Sequence, residues 1–117
     1  MENKVFARNL ESRTKKFAIS VLKMLNHLPS TPEGRTIRYQ LSKSCSSIGA
    51  NYREANRARS KADFKNKIKI CESEASETVY WLSIIYNLNW GKKAPIETGM
   101  KEANELLAIF TSIGNKL

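Results

Sequence analysis

Lys61, Lys65 and Lys69 recur at intervals of four, and Arg53 and Arg57 repeat that interval just upstream. On a helix this spacing stacks side chains one above another, so each set makes a row of positive charge. The chemistry open to such rows is electrostatic capture of a polyanion, with RNA or DNA first among them. Residues 35–69 hold ten of the chain's twenty Lys and Arg but only two acids, Glu54 and Asp63. That stretch carries nearly all of the formal charge of +9. A merely solvated basic face is the competing reading. The candidate phosphate contacts are Arg38, Lys43, Arg53, Arg57, Arg59, Lys61, Lys65, Lys67 and Lys69. They would hold the backbone and not read bases, because no recognition-helix motif or aromatic platform accompanies them. Tyr39 and Tyr52 are the aromatics near enough to stack, and Tyr52 falls on a core position.

Other chemistries find little material. A di-iron bundle needs Glu-x-x-His on each of two helices, and His27 is the chain's one histidine. Its place near the expected end of the first helix suits the negative pole of the helix dipole better than a metal. Glu74 and Glu77 share a helix face, but no second carboxylate pair is written opposite them. Gly49 stands alone inside a helical pattern, so there is no phosphate-cradling glycine loop. No motif sets His27 beside a nucleophile. The expectation is a non-enzymatic protein with no catalytic residues, no cofactor and no metal. Cys45 and Cys71 lack CxxC spacing and read as small buried hydrophobes without a functional role.

The elements that must position the cations are helices. The whole chain, 1–117, reads as one domain, with 41% hydrophobic residues to supply a core. No apolar run approaches the roughly 18 residues of a membrane span. The first residues lack the apolar stretch of a secretory signal. A reducing, bacterial-type cytoplasm is the expected compartment, and no membrane partner is expected.

Pro29, Pro32 and Gly34 bracket one expected loop, and Gly91 and Pro95 another. Between them every window shows three-and-four spacing, and none shows the period of two that strands require. The first stripe is Phe6, Leu10, Thr14, Phe17, Val21, Met24 and Leu28. The last is Ile96, Met100, Ala103, Leu107, Phe110 and Leu117. The middle, from Thr36 to Asn89, would run roughly 80 Å as one helix. It breaks at Arg59–Ser60, where Ser60 can cap a new helix and Asp63 completes a capping box. The second stripe is then Ile37, Leu41, Cys45, Ile48, Tyr52 and Ala55. The third is Phe64, Ile68, Cys71, Ala75, Leu82 and Ile85. With so short a turn the two helices lie antiparallel. The fold class is all-α, an antiparallel up-down-up-down four-helix bundle.

Two features exceed what a simple bundle needs. Ser42, Ser44, Ser46, Ser47, Gly49 and Ala50 are poor helix material, and their small side chains allow another backbone to come close. Ile70, Trp81, Ile84 and Leu88 form a second apolar stripe, about 100° from the first, that suggests a subunit interface. A wide core stripe is the alternative. Glu72, Glu74 and Glu77 are expected to pair with bases on neighbouring helices or subunits. Glu74 and Asn51 are placed for polar contacts between the second and third helices.

Three segments carry a resemblance. They are TKKFAISVLKMLNHLP at residues 14–29, QLSKSCSSIGANYREA at 40–55 and KADFKNKIKICESEASETVYWL at 61–82. They resemble the small four-helix-bundle family named for proteins encoded in intervening sequences of bacterial 23S ribosomal RNA genes. The match covers nearly the whole chain and is weakest in the fourth helix. The resemblance implies a ring-like homopentamer with a basic surface. It also implies kinship with the accessory variability protein of diversity-generating retroelements, which binds nucleic acid and a reverse transcriptase. The expected partners are a second copy of the chain and nucleic acid. The alternative is an adaptor or accessory scaffold whose basic surface meets an acidic protein.

Overall fold

Thr31, Ser60 and Asn3 each turn a side-chain oxygen onto a backbone N–H three residues ahead, and each starts a helix. The bonds are Gly34 N–H to Thr31 Oγ1 at 3.1 Å, Asp63 N–H to Ser60 Oγ at 3.0 Å and Phe6 N–H to Asn3 Oδ1 at 2.7 Å. A computed structural model describes residues 3–117 of the chain. Its helices are α1 (Lys4–Met24), α2 (Pro32–Ala55), α3 (Lys61–Asn87) and α4 (Lys93–Asn115). A 3-10 turn, Leu25–His27, closes α1. The helices alternate in direction and form a rod of 44 × 24 × 20 Å. Helices α2–α3 and α3–α4 are the most heavily packed pairs, and α1 lies mainly on α2 and lightly on α4. The all-α four-helix bundle expected from the periodicity is the fold observed.

The break at Ser60 falls where the capping box places it. Pro32 and Gly34, expected in a loop, instead form the first turn of α2. Proline suits N1, where its missing N–H costs nothing, and Thr31 caps the turn. Pro95 likewise lies inside the first turn of α4.

The stripes of α2 and α3 are buried throughout, with Thr78 filling the gap between Ala75 and Leu82. Both thiols are buried, and desolvation pushes each up to about 12. Neither is therefore a thiolate near neutral pH. Phe6 and Leu117 depart from expectation, being 43% and 45% exposed. Asn56 Nδ2, just past α2, donates to Glu11 Oε2 at 2.8 Å, while Gly49 packs directly on Thr14. In an antiparallel pair that packing sets the end of α2 near Arg8, so only the first turn of α1 reaches past it. Leu25 and Leu106 are buried, while Met24, Met100 and Leu107 pack at the edge of the core.

Two of the small residues of α2, Gly49 and Ser44, serve contacts inside the protomer. A Cβ on Gly49 would stand 2.9 Å from Thr14 Oγ1 and 3.2 Å from Thr14 Cβ, so the backbone that approaches here is α1. Ser44 faces α3, where Thr78 Oγ1 donates to its hydroxyl at 2.9 Å. That is one polar contact between α2 and α3. Asn51 Nδ2 donates to Ser47 O of its own helix.

A Cβ on Gly34 would fall 2.0 Å from the carbonyl oxygen of Pro29, a backbone atom with nowhere to go. Gly34→Ala is expected to cost about 1–3 kcal/mol in urea unfolding. Gly114→Ala is its control, because a Cβ there meets nothing nearer than Ile68 Cγ2 at 3.9 Å. It should be neutral or stabilising by up to about 1 kcal/mol. Equal effects of the two substitutions would contradict the close approach.

Candidate nucleic-acid interface

The start of α1, the end of α2, the start of α3 and the end of α4 all meet at one end of the rod, because the helices alternate in direction. The basic hairpin turns at that same end. Arg53 and Arg57 follow Gly49 at four-residue steps, so they lie outward on the α1 side of α2. Lys61, Lys65 and Lys69 run in line towards Glu72, which accepts from Thr111 Oγ1 at 2.6 Å. That row therefore lies on the α4 side of α3. The two rows occupy opposite flanks and converge at the turn, where Arg59 stands between them. All six side chains are exposed.

The remaining candidates are placed differently. Lys67 is half-buried, on the α2 side of α3. Lys43 is exposed at mid-length, close enough to Glu74 to act on its charge. Arg38 sits at the other end of the rod, about 28 Å from Arg57 along α2. Its guanidinium donates to Leu28 O at 2.9 Å and, more weakly, at 3.4 Å to Leu25 O, which also accepts from Leu28 N–H. Tyr39 is exposed, and Tyr52 is buried with its ring edge-on to Phe110 at 5.4 Å.

Lys4, Arg8 and Lys116 join the turn from α1 and α4 and line one groove with Arg59, Lys61 and Lys65. No local motif marks these three. Only the alternation of helix direction brings them to the hairpin.

The acids take other partners. Arg13 forks onto Glu102, with Nε 2.6 Å from Oε2 and Nη2 2.7 Å from Oε1, and Nη2 reaches Glu105 at 2.8 Å. This clamp ties α1 to α4, and among the described residues it holds the only ion pairs. Among the described residues, Glu72, Glu74 and Glu77 make no ion pair within the protomer. Glu72 accepts from Thr111, and Glu77 accepts from Trp81 Nε1 at 3.2 Å. Among the described residues, no three His, Cys, Asp or Glu side chains gather as a metal site would require. None of the described helices is long and apolar enough to cross a membrane.

The second stripe of α3 is half covered. Ile70, Trp81 and Ile84 are partly buried, and Leu88 is 47% exposed. Tyr80, also exposed, stands edge-on to Trp81 at 5.1 Å.

On the same side of α3, burial lifts the Glu74 carboxyl above its usual range, Glu77 lifts it further and Lys43 opposes both. A raised carboxyl favours the fold while protonated and loses that contribution as pH rises through the raised value. Glu74→Gln should therefore be more stable than the parent at pH 7, with the advantage gone at pH 4. Urea midpoints at the two pH values check this. An equal difference at both would show that charge is not the cause.

Residues 9–112 match the family described as 23S rRNA-intervening sequence protein. Among solved structures, the chain is similar to a protein of unknown function from the S23 ribosomal protein family of Bacteroides thetaiotaomicron. The two are 31% identical over 89% of this chain and 96% of that one, with a TM-score of 0.81. No curated protein matches the chain.

Proposed function

This chain belongs to the 23S rRNA-intervening sequence protein family, and from that premise we propose that it is a non-enzymatic, homo-oligomeric nucleic-acid-binding protein. The observation that carries the reading is the collar of cations at one end of the bundle. Arg53, Arg57, Arg59, Lys61, Lys65 and Lys69 are exposed there, and among the described residues none of them makes an ion pair. Like charges brought this close repel, and a polyanion relieves the repulsion while releasing its own counterions. The collar grips backbone charge, so preference among sequences is slight.

The half-covered Ile70, Trp81, Ile84 and Leu88 stripe supports self-association, and the family resemblance suggests a pentamer. A ring would repeat the collar in every subunit, so that weak single contacts sum to useful avidity. Sedimentation at micromolar concentration should show a multiple of the 13.3 kDa protomer. Trp81→Glu should shift it towards the monomer. A monomeric parent would remove the oligomer from the proposal.

Affinity for duplex DNA should fall with salt along a log–log slope of about −4 or steeper. Reversing Arg57, Lys61 and Lys65 to Glu should abolish binding at low salt with helicity unchanged. Reversing Lys23, Lys92 and Lys101 makes the same change in net charge away from the collar, and it should cost far less. If the two triple variants bind alike, the collar is not the binding surface. If neither RNA nor DNA binds the parent, and native partners stay attached after nuclease treatment, the ligand is an acidic protein.

A further inference from the structure

The four helices do not end level with one another. Gly49 packs on Thr14, so in the antiparallel pair the end of α2 lies near Arg8 and the first turn of α1 reaches past it. At the other side, Thr111 bonds Glu72 and Gly114 lies against Ile68, so α4 stops beside the second turn of α3. The first turn of α3, residues 61–64, therefore extends beyond α4. Between these projecting ends lies a groove of about 890 Å³, within the size range of small-ligand sites.

Its lining has two characters. Lys4, Arg8, Arg59, Lys61, Lys65 and Lys116 stand around it, all exposed and, among the described residues, none in an ion pair. The acid in the lining, Glu11, accepts from Asn56. Ala7, Ala58 and Ala62 also line it, together with Ala55 and Phe64, which are themselves buried. Two helix N-termini and two C-termini meet here, so their dipoles largely cancel and the side chains set the positive sign.

Resting on the nucleic-acid reading above, we infer that this groove seats a single-stranded nucleic-acid segment, with its phosphates on the cationic rim and its bases against the small apolar side chains. The groove takes up part of one end of a rod 24 × 20 Å across, a scale that suits one strand better than a duplex. Small apolar side chains leave room for a base to come close, and the six cations suit the phosphates on either side of it. The cationic rows explain why the ligand is a strand and not a lone nucleotide. Lys61 and Lys65 belong to both groove and row, and the row continues out of the groove to Lys69 along α3. On the other side Arg59 leads to Arg57 and Arg53. A chain of phosphates leaving the groove therefore meets further positive charge on either flank.

The test compares a short labelled single-stranded RNA with a blunt RNA duplex, by anisotropy at fixed low salt. Ala7→Leu combined with Ala62→Leu narrows the groove without changing charge or adding an aromatic face. It should weaken strand binding about tenfold and leave duplex binding within twofold. Arg8→Gln with Lys116→Gln, both exposed and outside the hairpin, should weaken the strand more than the duplex. This second variant keeps the test intact if the first loses helicity. Variants that bind the strand as well as the parent, while all bind duplex, would overturn the groove and leave the proposed function standing. A parent that binds neither strand nor duplex would overturn both.

Discussion

Residues 56–60 connect α2 to α3, and the register of this hairpin governs the rest of the molecule. So short a link leaves the second helix no course but back along the first. Cys71 Sγ then lies 3.5 Å from Ile48 O, and Thr78 meets Ser44, so the two stripes face each other along their length. The Ser44–Thr78 bond lies in an otherwise apolar seam. A slip of one turn would leave the Ser44 hydroxyl with only its long 3.4 Å contact to Leu41 O. Leaving such a group poorly paired costs about 1–3 kcal/mol, enough to penalise the wrong register. Once this hairpin is set, α1 closes on α2 through Gly49 and α4 closes on α3.

The same hairpin segregates charge along the rod. Its cations lie at the turn, while Glu74 and Glu77 lie further along α3, and Glu102 and Glu105 are held by Arg13. Mixing these groups would have neutralised the surface and lowered its self-repulsion. The fold instead keeps net positive charge at one end, where cations from four chain segments outnumber Glu11, Glu54 and Asp63. A protein that needed only stability would gain from more acids there. The arrangement is understandable if an anionic ligand supplies the compensating charge.

Much of the bundle was legible because helical period and capping are local. Ser60, Asp63 and Phe64 mark a helix start within a few residues, and α3 begins there. The errors also have local causes. Pro32 and Gly34 read as loop formers, yet proline suits the first helical turn and glycine was needed where Pro29 O approaches. Phe6 continues a perfect stripe, but a stripe is buried only as far as its neighbour extends. Thr78 was passed over because a lone threonine looks the same whether it faces solvent or a serine on another helix.

The candidate site divides along the same line. The sequence by itself determined the helices, the break between α2 and α3, the all-α class and the concentration of Lys and Arg near that break. Each of these depends on residues within a turn or two of one another. Tertiary structure decided that the two cationic rows lie on opposite flanks, and that Arg38 is occupied by backbone carbonyls at the far end. It also decided that Lys4, Arg8 and Lys116 join the turn, and that unequal helix ends open a groove among them. Those outcomes depend on where each helix stops relative to its neighbours. That is set by packing between residues far apart in the chain, which no local pattern records.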